Sequence, residues 1–205
     1  MHEVMVPPQI YGFLYLISEL SDDTLDKKIL DCGAGGPHPP LALFNSHGFE
    51  THGVDISDSR LSESEEFCRK NGIDLNIKKG DMRNLPHENG SFSYVYSYNS
   101  IFHLTKADTA KAMGEMRRVL REQGLLYVNF ISIEDQGFGE GEEVGPGEWK
   151  SIEHGEPTVH SYYEDTEPDM YFSGMHIIYK EKKIAEIRMS DYKMVTLEYV
   201  AHKKQ

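Results

Sequence analysis

The sequence predicts an α/β fold built on a doubly wound, mostly parallel seven-stranded sheet that ends in an antiparallel pair of strands. Apolar strand-like segments alternate with amphipathic helical segments between residues 29 and 131, the pattern of parallel sheets whose strands are joined by helices. Residues 125–131 are apolar apart from one residue, as expected for a strand buried on both faces. Segments 175–187 and 194–200 are strand-like and are separated by the turn-like Ser190-Asp191, which predicts the terminal pair.

The 205 residues are predicted to form a single domain around one core. We divide it into an N-terminal helical segment (1–28), a core (29–131), an acidic and aromatic insertion (132–174) and terminal strands (175–205). The glycine- and glutamate-rich part of the insertion, 138–149, predicts a flexible loop. No internal repeat is present.

Each element has a local signal. Apolar residues at helical spacing predict a first helix after Pro7-Pro8. Three prolines between residues 37 and 40 restrict the second helix to a short one, because proline is tolerated only in the first turn. Asn71-Gly72 closes the third helix, and Thr105 caps a fourth that ends near Gly124. The predicted core strands lie near 29–32, 51–55, 74–79, 92–98 and 125–131, and the predicted helices at 8–20, 40–46, 57–70 and 106–122.

Charge and composition exclude several classes of partner. The formal net charge is −13, and residues 134–169 hold twelve acidic residues against Lys150 alone. Such a surface repels polyanions, so nucleic acid and anionic membranes are poor partners. No apolar run is long enough to span a membrane, and the start lacks a secretory pattern. Two cysteines, Cys32 and Cys68, predict neither a disulfide framework nor a metal site, and a cytoplasmic location follows as the default.

The segment Asp31-Cys32-Gly33-Ala34-Gly35-Gly36 predicts a ligand-binding turn. A strand that ends in glycines lets the backbone approach a ligand closely. A dinucleotide fingerprint would place its last glycine at position 38, which is His38. An acid two residues before the first glycine disfavours a pyrophosphate and favours a ligand that carries a cation. S-adenosylmethionine carries an ammonium and a sulfonium, and no phosphate.

The segment 31–35 resembles the glycine motif of the class I S-adenosylmethionine-dependent methyltransferases. The resemblance implies that Asp55, at the end of the second strand, binds the ribose hydroxyls. It also implies that Asp81 binds the adenine amine, that Met82 packs on the adenine ring, and that residues 96–103 pass under the methionine moiety. The predicted cofactor-binding residues are Tyr11, Asp31, Gly33, Ala34, Gly35, Asp55, Ile56, Asp81, Met82, Arg83, Ser97 and Asn99.

Methyl transfer from a sulfonium is an in-line displacement, so approach geometry and desolvation supply much of the catalysis. A base is needed only when the acceptor must lose a proton. His103 is the first candidate because it follows the fourth strand, although a histidine there could equally pack or cap the next helix. His160, Tyr162 and Tyr163 are candidates from the insertion. Tyr11 is a candidate to close the methionine end, although core packing is the favoured role for it.

The acceptor is less well determined by the sequence. The resemblance implies a small-molecule acceptor and an insertion after strand five that serves as a lid. No Asn-Pro-Pro-aromatic motif follows strand four, where Tyr98-Asn99-Ser100 stands, which counts against nucleic-acid amino groups. The acids of the insertion, including Glu164 and Asp165, occur among aromatic residues, which raises the hypothesis of an amine acceptor bound through charge and cation–π contacts. The alternative is a solvated loop.

Two functions from other classes remain open. A non-catalytic protein that binds S-adenosylmethionine would share the motif. A nicotinamide-dependent reductase would commonly use a Tyr-x-x-x-Lys pair on a helix. The match here, Tyr199 and Lys203, falls in a strand-like segment where the two would not share a helical face. The sequence makes no prediction of oligomeric state.

Overall fold

A computed structural model of the chain describes residues 6–20, 24–153, 156–187 and 191–204. Its centre is a sheet in which five parallel strands lie in the order β3-β2-β1-β4-β5. Strand β10 pairs antiparallel with β5, and β9 pairs antiparallel with β10. The strands are β1 (Lys28–Cys32), β2 (Glu50–Asp55), β3 (Ile77–Lys79), β4 (Phe92–Ser97), β5 (Leu120–Ser132), β9 (Met175–Ile187) and β10 (Tyr192–Lys203). The predicted fold class is confirmed.

Within the described ranges, four α-helices cover the sheet, and most of their ends follow the predicted signals. The Thr105 hydroxyl caps α4 by accepting a hydrogen bond from the amide of Asp108 at 3.1 Å. Gly72 ends α3 in the left-handed conformation, with φ of 64°, which glycine adopts without strain. The second helix is short, as the prolines before it require. The helices are α1 (Pro8–Leu20), α2 (Leu41–Ser46), α3 (Asp58–Asn71) and α4 (Lys106–Val119).

The boundary between α4 and β5 differs from the prediction. The helix ends at Val119 and the strand begins at Leu120, whereas the sequence predicted a helix as far as 122. Leu120 pairs with Phe92 at the start of β4, so sheet pairing replaces the last helical turn. Gly124 is not a helix cap: a Cβ at this position would lie 2.7 Å from the carbonyl oxygen of Ser93. Glycine is required there by close strand packing.

The insertion forms a small antiparallel sheet, so the predicted flexible loop at 138–149 is wrong. Strands β6 (Glu142–Gly145), β7 (Glu148–Glu153) and β8 (Glu156–Tyr163) pair in sequence. Strand β8 also pairs in parallel with the last two residues of β5. Its final two side chains, Tyr162 and Tyr163, are buried and anchor the insertion to the core. A 3₁₀ helix at Glu167–Phe172 completes the segment.

Two apolar layers pack on the two faces of the sheet. One joins α4 to β4, β5 and β10, and the other joins α1 and α2 to the same strands. In the second layer, Phe13 of α1 packs against Phe44, Tyr96 and Tyr127, with ring centroids 5.5 to 6.2 Å apart. Among the described residues, no helix is long and apolar enough to cross a membrane.

Candidate active site

A cavity of about 430 Å³ opens where β1, β2 and β4 end, a size typical of small-molecule sites. It lies at the carboxyl ends of parallel strands, where open α/β sheets bind ligands. We call it the cofactor cleft. Candidate base His103 lines it, and the predicted cofactor-binding residues on its walls are Gly33, Asp55, Ile56, Asp81, Met82, Arg83 and Asn99.

The glycine turn after β1 folds back over the end of β2. The amides of Gly33 and Ala34 both donate to the carbonyl of Val54, at 2.9 and 3.0 Å. Gly33 has φ of 102°, and a Cβ there would overlap the Ser100 side chain. The first glycine of the motif therefore permits both the left-handed turn and the close approach of the loop after β4.

Asp55 closes this turn from β2. Its Oδ2 accepts the amide of Gly35 at 2.8 Å and its Oδ1 accepts the amide of Ser57 at 2.9 Å. The carboxylate thus joins the glycine turn to the start of α3. Each carboxylate oxygen has a further lone pair, so Asp55 can still accept hydrogen bonds from a ligand in the cleft it lines.

Asp31 lies below the turn as a buried acid whose Oδ2 has no hydrogen-bond partner. Its side chain is only 2% exposed. Burial, reinforced by the charge of Asp55, raises its pKa to about 8, and the Tyr96 hydroxyl acts in the opposite direction. The Tyr96 hydroxyl, which interacts with this carboxyl, likewise makes no hydrogen bond of normal geometry with the described residues. An unpaired buried polar atom costs about 1–3 kcal/mol, so native proteins rarely keep one without a reason. The Oδ2 atom of Asp31 therefore indicates that a bound ligand supplies the missing hydrogen-bond donor.

The far end of the cleft combines an ion pair with apolar surface. Arg83 holds Asp81 with two nitrogens, Nη2 at 2.7 Å from Oδ2 and Nε at 2.9 Å from Oδ1, and reaches Asp108 at 2.6 Å. These contacts hold the pKa of Asp81 below its usual range. Ile56 is 61% exposed and, with Met82, provides apolar wall. An apolar wall beside a polar group suits a heteroaromatic ring, and the predicted bond from Asp81 to adenine remains a prediction.

A pair of asparagines holds the loop after β4. Asn99 has φ of 50°, its amide donates to Asn129 Oδ1 at 2.8 Å, and the Asn129 side-chain amide donates back to Asn99 Oδ1 at 2.7 Å. Asn129 is fully buried in β5 and was not among the predicted residues. The sequence signal that could have identified Asn129 was its side-chain amide within an otherwise apolar strand. Sequence reasoning also missed Arg60, Ser100 and Thr158, which line the cleft.

Two of the candidate bases meet at the mouth of the cleft. The rings of His103 and His160 lie 4.7 Å apart, with planes at 68°. His103 presents exposed surface to the cleft, whereas His160 is 7% exposed. Loss of solvation between the cleft walls, followed by the charges of His160 and Arg60, lowers the pKa of His103 to about 4. His103 is therefore neutral at physiological pH and able to accept a proton.

The structure corrects the placement of five other predicted residues, whose side chains do not line the cleft. Tyr11 faces a separate groove beside Tyr94. Ala34 is fully buried, and the Ser97 hydroxyl donates to the carbonyl of Cys32 at 2.8 Å, linking β4 to β1. Tyr163 is fully buried in the core, where its hydroxyl donates to Thr109 at 3.3 Å. Tyr162 is also buried, packing against Phe138.

The acids of the insertion make ion pairs instead of facing the cleft. Lys182 pairs with Asp165 at 2.8 Å, Lys106 pairs with Glu167 at 2.6 Å, and Lys180 pairs with Asp169 at 2.7 Å. Of the described insertion residues, only Thr158 lines the cofactor cleft. These pairs attach the insertion to α4 and β9.

Residues 29–124 match the family model described as a methyltransferase domain. The match spans just under half of the chain and supports a class I S-adenosylmethionine-dependent methyltransferase. Methyltransferase GfsG of Streptomyces halstedii is 29% identical over 117 residues, which cover 56% of this chain and 41% of GfsG. The glycine/sarcosine/dimethylglycine N-methyltransferase of Actinopolyspora halophila is 27% identical over 105 residues, covering 50% of this chain and 18% of that protein. The chain thus spans less than half the length of either relative.

The fold has a close structural counterpart. A crystal structure of a methyltransferase described as S-adenosylmethionine-dependent, from Methanosarcina mazei, superposes with a TM-score of 0.76 at 18% identity. The match covers 92% of this chain and 97% of that one, so the insertion and terminal strands belong to the shared architecture. S-adenosylmethionine is the cofactor that the family implies. The unpaired, buried Asp31 beside a glycine turn is consistent with its cationic amino group.

Proposed function

We propose that this protein transfers the methyl group of S-adenosylmethionine to a small-molecule acceptor in the cofactor cleft, releasing S-adenosylhomocysteine. The observation that carries the proposal is the buried carboxylate of Asp31, whose Oδ2 makes no hydrogen bond of normal geometry with the described residues and which lies at the end of β1, just before the glycine turn. A scaffold without a ligand would gain stability by replacing this acid with an apolar or amide side chain. A cationic ligand that pairs with Asp31 compensates for the cost of burying this acid.

Each wall of the cleft has a proposed role. Asp31, which is buried and does not itself line the cleft, and the backbone of the glycine turn hold the amino-acid part of the cofactor. Asp55 holds the ribose, and Ile56 with Met82 holds the adenine ring. When bound, the cofactor supplies an electrophilic methyl group on a sulfonium. The protein then orients the two reactants and excludes water, which lowers the barrier without a covalent intermediate on the chain.

For an acceptor that must lose a proton, we propose His103 as the base. Its pKa, lowered to about 4, leaves the imidazole unprotonated at neutral pH. His160 packs against it at 4.7 Å and acts as a positioning residue. The Ser161 hydroxyl donates to the carbonyl of Leu104 at 2.6 Å, which fixes β8 beside the segment that carries His103.

The acceptor is proposed to be a small molecule because His103 lines a cavity of about 430 Å³ and because the surface charge disfavours polyanions. The amine hypothesis drew on the acids of the insertion. Four of those acids pair with lysines, and no acid of the described insertion lines the cleft, so they do not support an amine there. The name of the Actinopolyspora relative alone does not extend that hypothesis to this chain.

The function is tested by methyl transfer. The protein is incubated with methyl-labelled S-adenosylmethionine and a deproteinised, nucleic-acid-free metabolite extract, and label and S-adenosylhomocysteine are followed by mass spectrometry. The proposal predicts label in a small molecule together with an equal amount of S-adenosylhomocysteine. Tight S-adenosylhomocysteine binding without turnover on extracts from many sources favours the non-catalytic alternative. Tight NADH binding without S-adenosylhomocysteine binding favours the reductase.

A further inference from the structure

A second cavity, of about 330 Å³, lies between α1 and the terminal strands, apart from the cofactor cleft. Gly12 and Tyr15 of α1 form one side. The strands on the opposite side contribute Tyr127, Tyr179 and two carboxylates, with Lys183 as the one basic residue on its described walls. We call it the α1 cavity. No predicted or proposed role of the cofactor cleft uses it.

A buried acid forms part of its wall. Glu198 is 2% exposed, yet its carboxylate is held only by neutral hydroxyls: Thr196 donates to Oε1 at 2.6 Å and Tyr127 donates to Oε2. Among the described residues, no Lys or Arg lies at ion-pair distance from it. Burial raises its pKa. A buried carboxylate without a cationic partner is costly, and it is stabilised by any cation that enters beside it.

Aromatic rings and a second acid complete the walls. Tyr127 is almost fully buried, Tyr15 and Tyr179 are partly exposed, and all three line the cavity. The Tyr179 hydroxyl donates to Glu181. Aromatic faces attract cations, and clusters of such faces recognise ammonium groups. Two carboxylates against the single Lys183 leave the described walls with a net negative charge.

Gly12 keeps the cavity open from the helix side. It lies within α1, where glycine destabilises a helix relative to alanine. A Cβ at this position would meet no atom within 4 Å, so packing does not demand glycine. Since Gly12 lines the α1 cavity, the missing side chain enlarges the space that a ligand would occupy.

We propose that the α1 cavity binds a small organic cation, an amine or quaternary ammonium, between the tyrosine rings and the Glu198 carboxylate. The α1 cavity is linked to the cofactor cleft through neighbouring residues but is not part of it. Glu198 is the strand partner of Asn129, and Asn129 holds Asn99 on the wall of the cofactor cleft.

The test compares choline with its neutral isostere 3,3-dimethylbutan-1-ol by calorimetry on the full chain. The two probes share shape and differ in charge. We expect choline to bind in the millimolar range and the alcohol to bind at least about tenfold more weakly (~1.4 kcal/mol). Equal binding of both probes, or no binding of choline, overturns the proposal.

Matched variants locate the site. Gly12→Leu fills the cavity and Glu198→Gln removes the charge while keeping an oxygen acceptor, so each is expected to weaken choline binding at least tenfold. Gly114→Leu is the control, because Gly114 also lies within a helix and a Cβ added there would meet no atom within 4 Å. Lys183→Met removes a like charge and is expected to strengthen choline binding, a gain that misfolding cannot produce.

The outcome is independent of the methyltransferase proposal. S-adenosylhomocysteine affinity is measured in the same variants and is expected to stay within twofold of the wild type. Loss of choline binding with intact S-adenosylhomocysteine binding supports a separate cation site. Equal loss of choline binding in Gly12→Leu and Gly114→Leu, or weaker binding in Lys183→Met, overturns it.

Discussion

The Oδ2 atom of Asp55 accepts the amide of Gly35 at 2.8 Å, so the acid that ends β2 also closes the glycine turn after β1. The same carboxylate accepts the amide of Ser57 at the start of α3. One side chain therefore joins three consecutive parts of the cofactor cleft. Substitutions of Asp55 can separate two roles of this side chain, binding the cofactor and holding the glycine turn.

Asp55→Asn is expected to destabilise the protein without any ligand present. An amide has one acceptor oxygen, so its nitrogen would face the amide of either Gly35 or Ser57. We expect the free energy of unfolding to fall by about 1–3 kcal/mol, the cost of an unsatisfied buried donor. Urea denaturation measures it. Asp58→Asn, at an exposed acid that pairs with Lys79, is the control and should change stability little.

Gly33→Ala is expected to weaken S-adenosylhomocysteine binding strongly. The new Cβ would overlap the Ser100 side chain, and φ of 102° is strained for alanine. Adding Ser100→Gly removes the overlap and leaves the strain, so the double variant should recover part of the lost affinity. Calorimetry on both variants measures the recovery. A single variant that binds as the wild type does would contradict the described turn.

Asp31 makes stability depend on pH in a defined direction. Its pKa in the folded protein is raised to about 8, against about 3.9 in an unfolded chain. The folded state therefore binds this proton more tightly, and the stabilisation, complete below pH ~3.9, is lost as pH rises towards ~8. Between about pH 5 and pH 7 this group lowers the free energy of unfolding by about 1.4 kcal/mol per pH unit.

Asp31→Asn should remove that contribution. Urea denaturation of the unliganded wild type and variant across this range gives two slopes of stability against pH. The difference between them isolates Asp31 from the other titrating groups. Parallel slopes would show that Asp31 titrates normally and would remove the main support for a buried unpaired acid.

His103→Gln is expected to lower turnover on an acceptor that loses a proton, by about 10²–10⁴-fold, while S-adenosylhomocysteine affinity stays unchanged. In the wild type, kcat should hold as pH falls towards ~5, because the pKa of His103 is about 4. His160→Phe keeps a ring beside His103 and removes a charge that lowers this pKa. The acid limb of the pH profile should therefore move to higher pH.

Two other results would change the roles proposed for His103 and His160. Loss of S-adenosylhomocysteine binding in His103→Gln would make His103 a structural residue. An unmoved acid limb in His160→Phe would show that His160 does not set the proton affinity of its neighbour.

Local motifs predicted much of the fold and part of the site. The glycine turn, the acid ending β2 and the cap at Thr105 each depend on a few adjacent residues, and the structure contains all three. Contacts between distant segments had no such signal. Asn129 meets Asn99 across 30 positions, and His160 reaches His103 only because β8 pairs with the end of β5.

Composition misled the prediction of the insertion. Glycines and glutamates at 138–149 indicate a flexible loop, but strand pairing decides the structure. Trp149 pairs in register with His160, and Trp149 packs with Phe102, Ile131 and Tyr162 as one apolar cluster. Tyr163, a candidate base from its sequence position, lies in the core because it pairs with Ser132 at the end of β5.

The central claim, that the cleft binds S-adenosylmethionine, is tested most directly by calorimetry with S-adenosylhomocysteine and NADH. We predict micromolar binding of S-adenosylhomocysteine, weakened at least about tenfold (~1.4 kcal/mol) by Asp55→Ala and unaffected by Asp58→Ala. NADH should bind far more weakly. Tight NADH binding without S-adenosylhomocysteine binding, or equal affinities in the two variants, would contradict it.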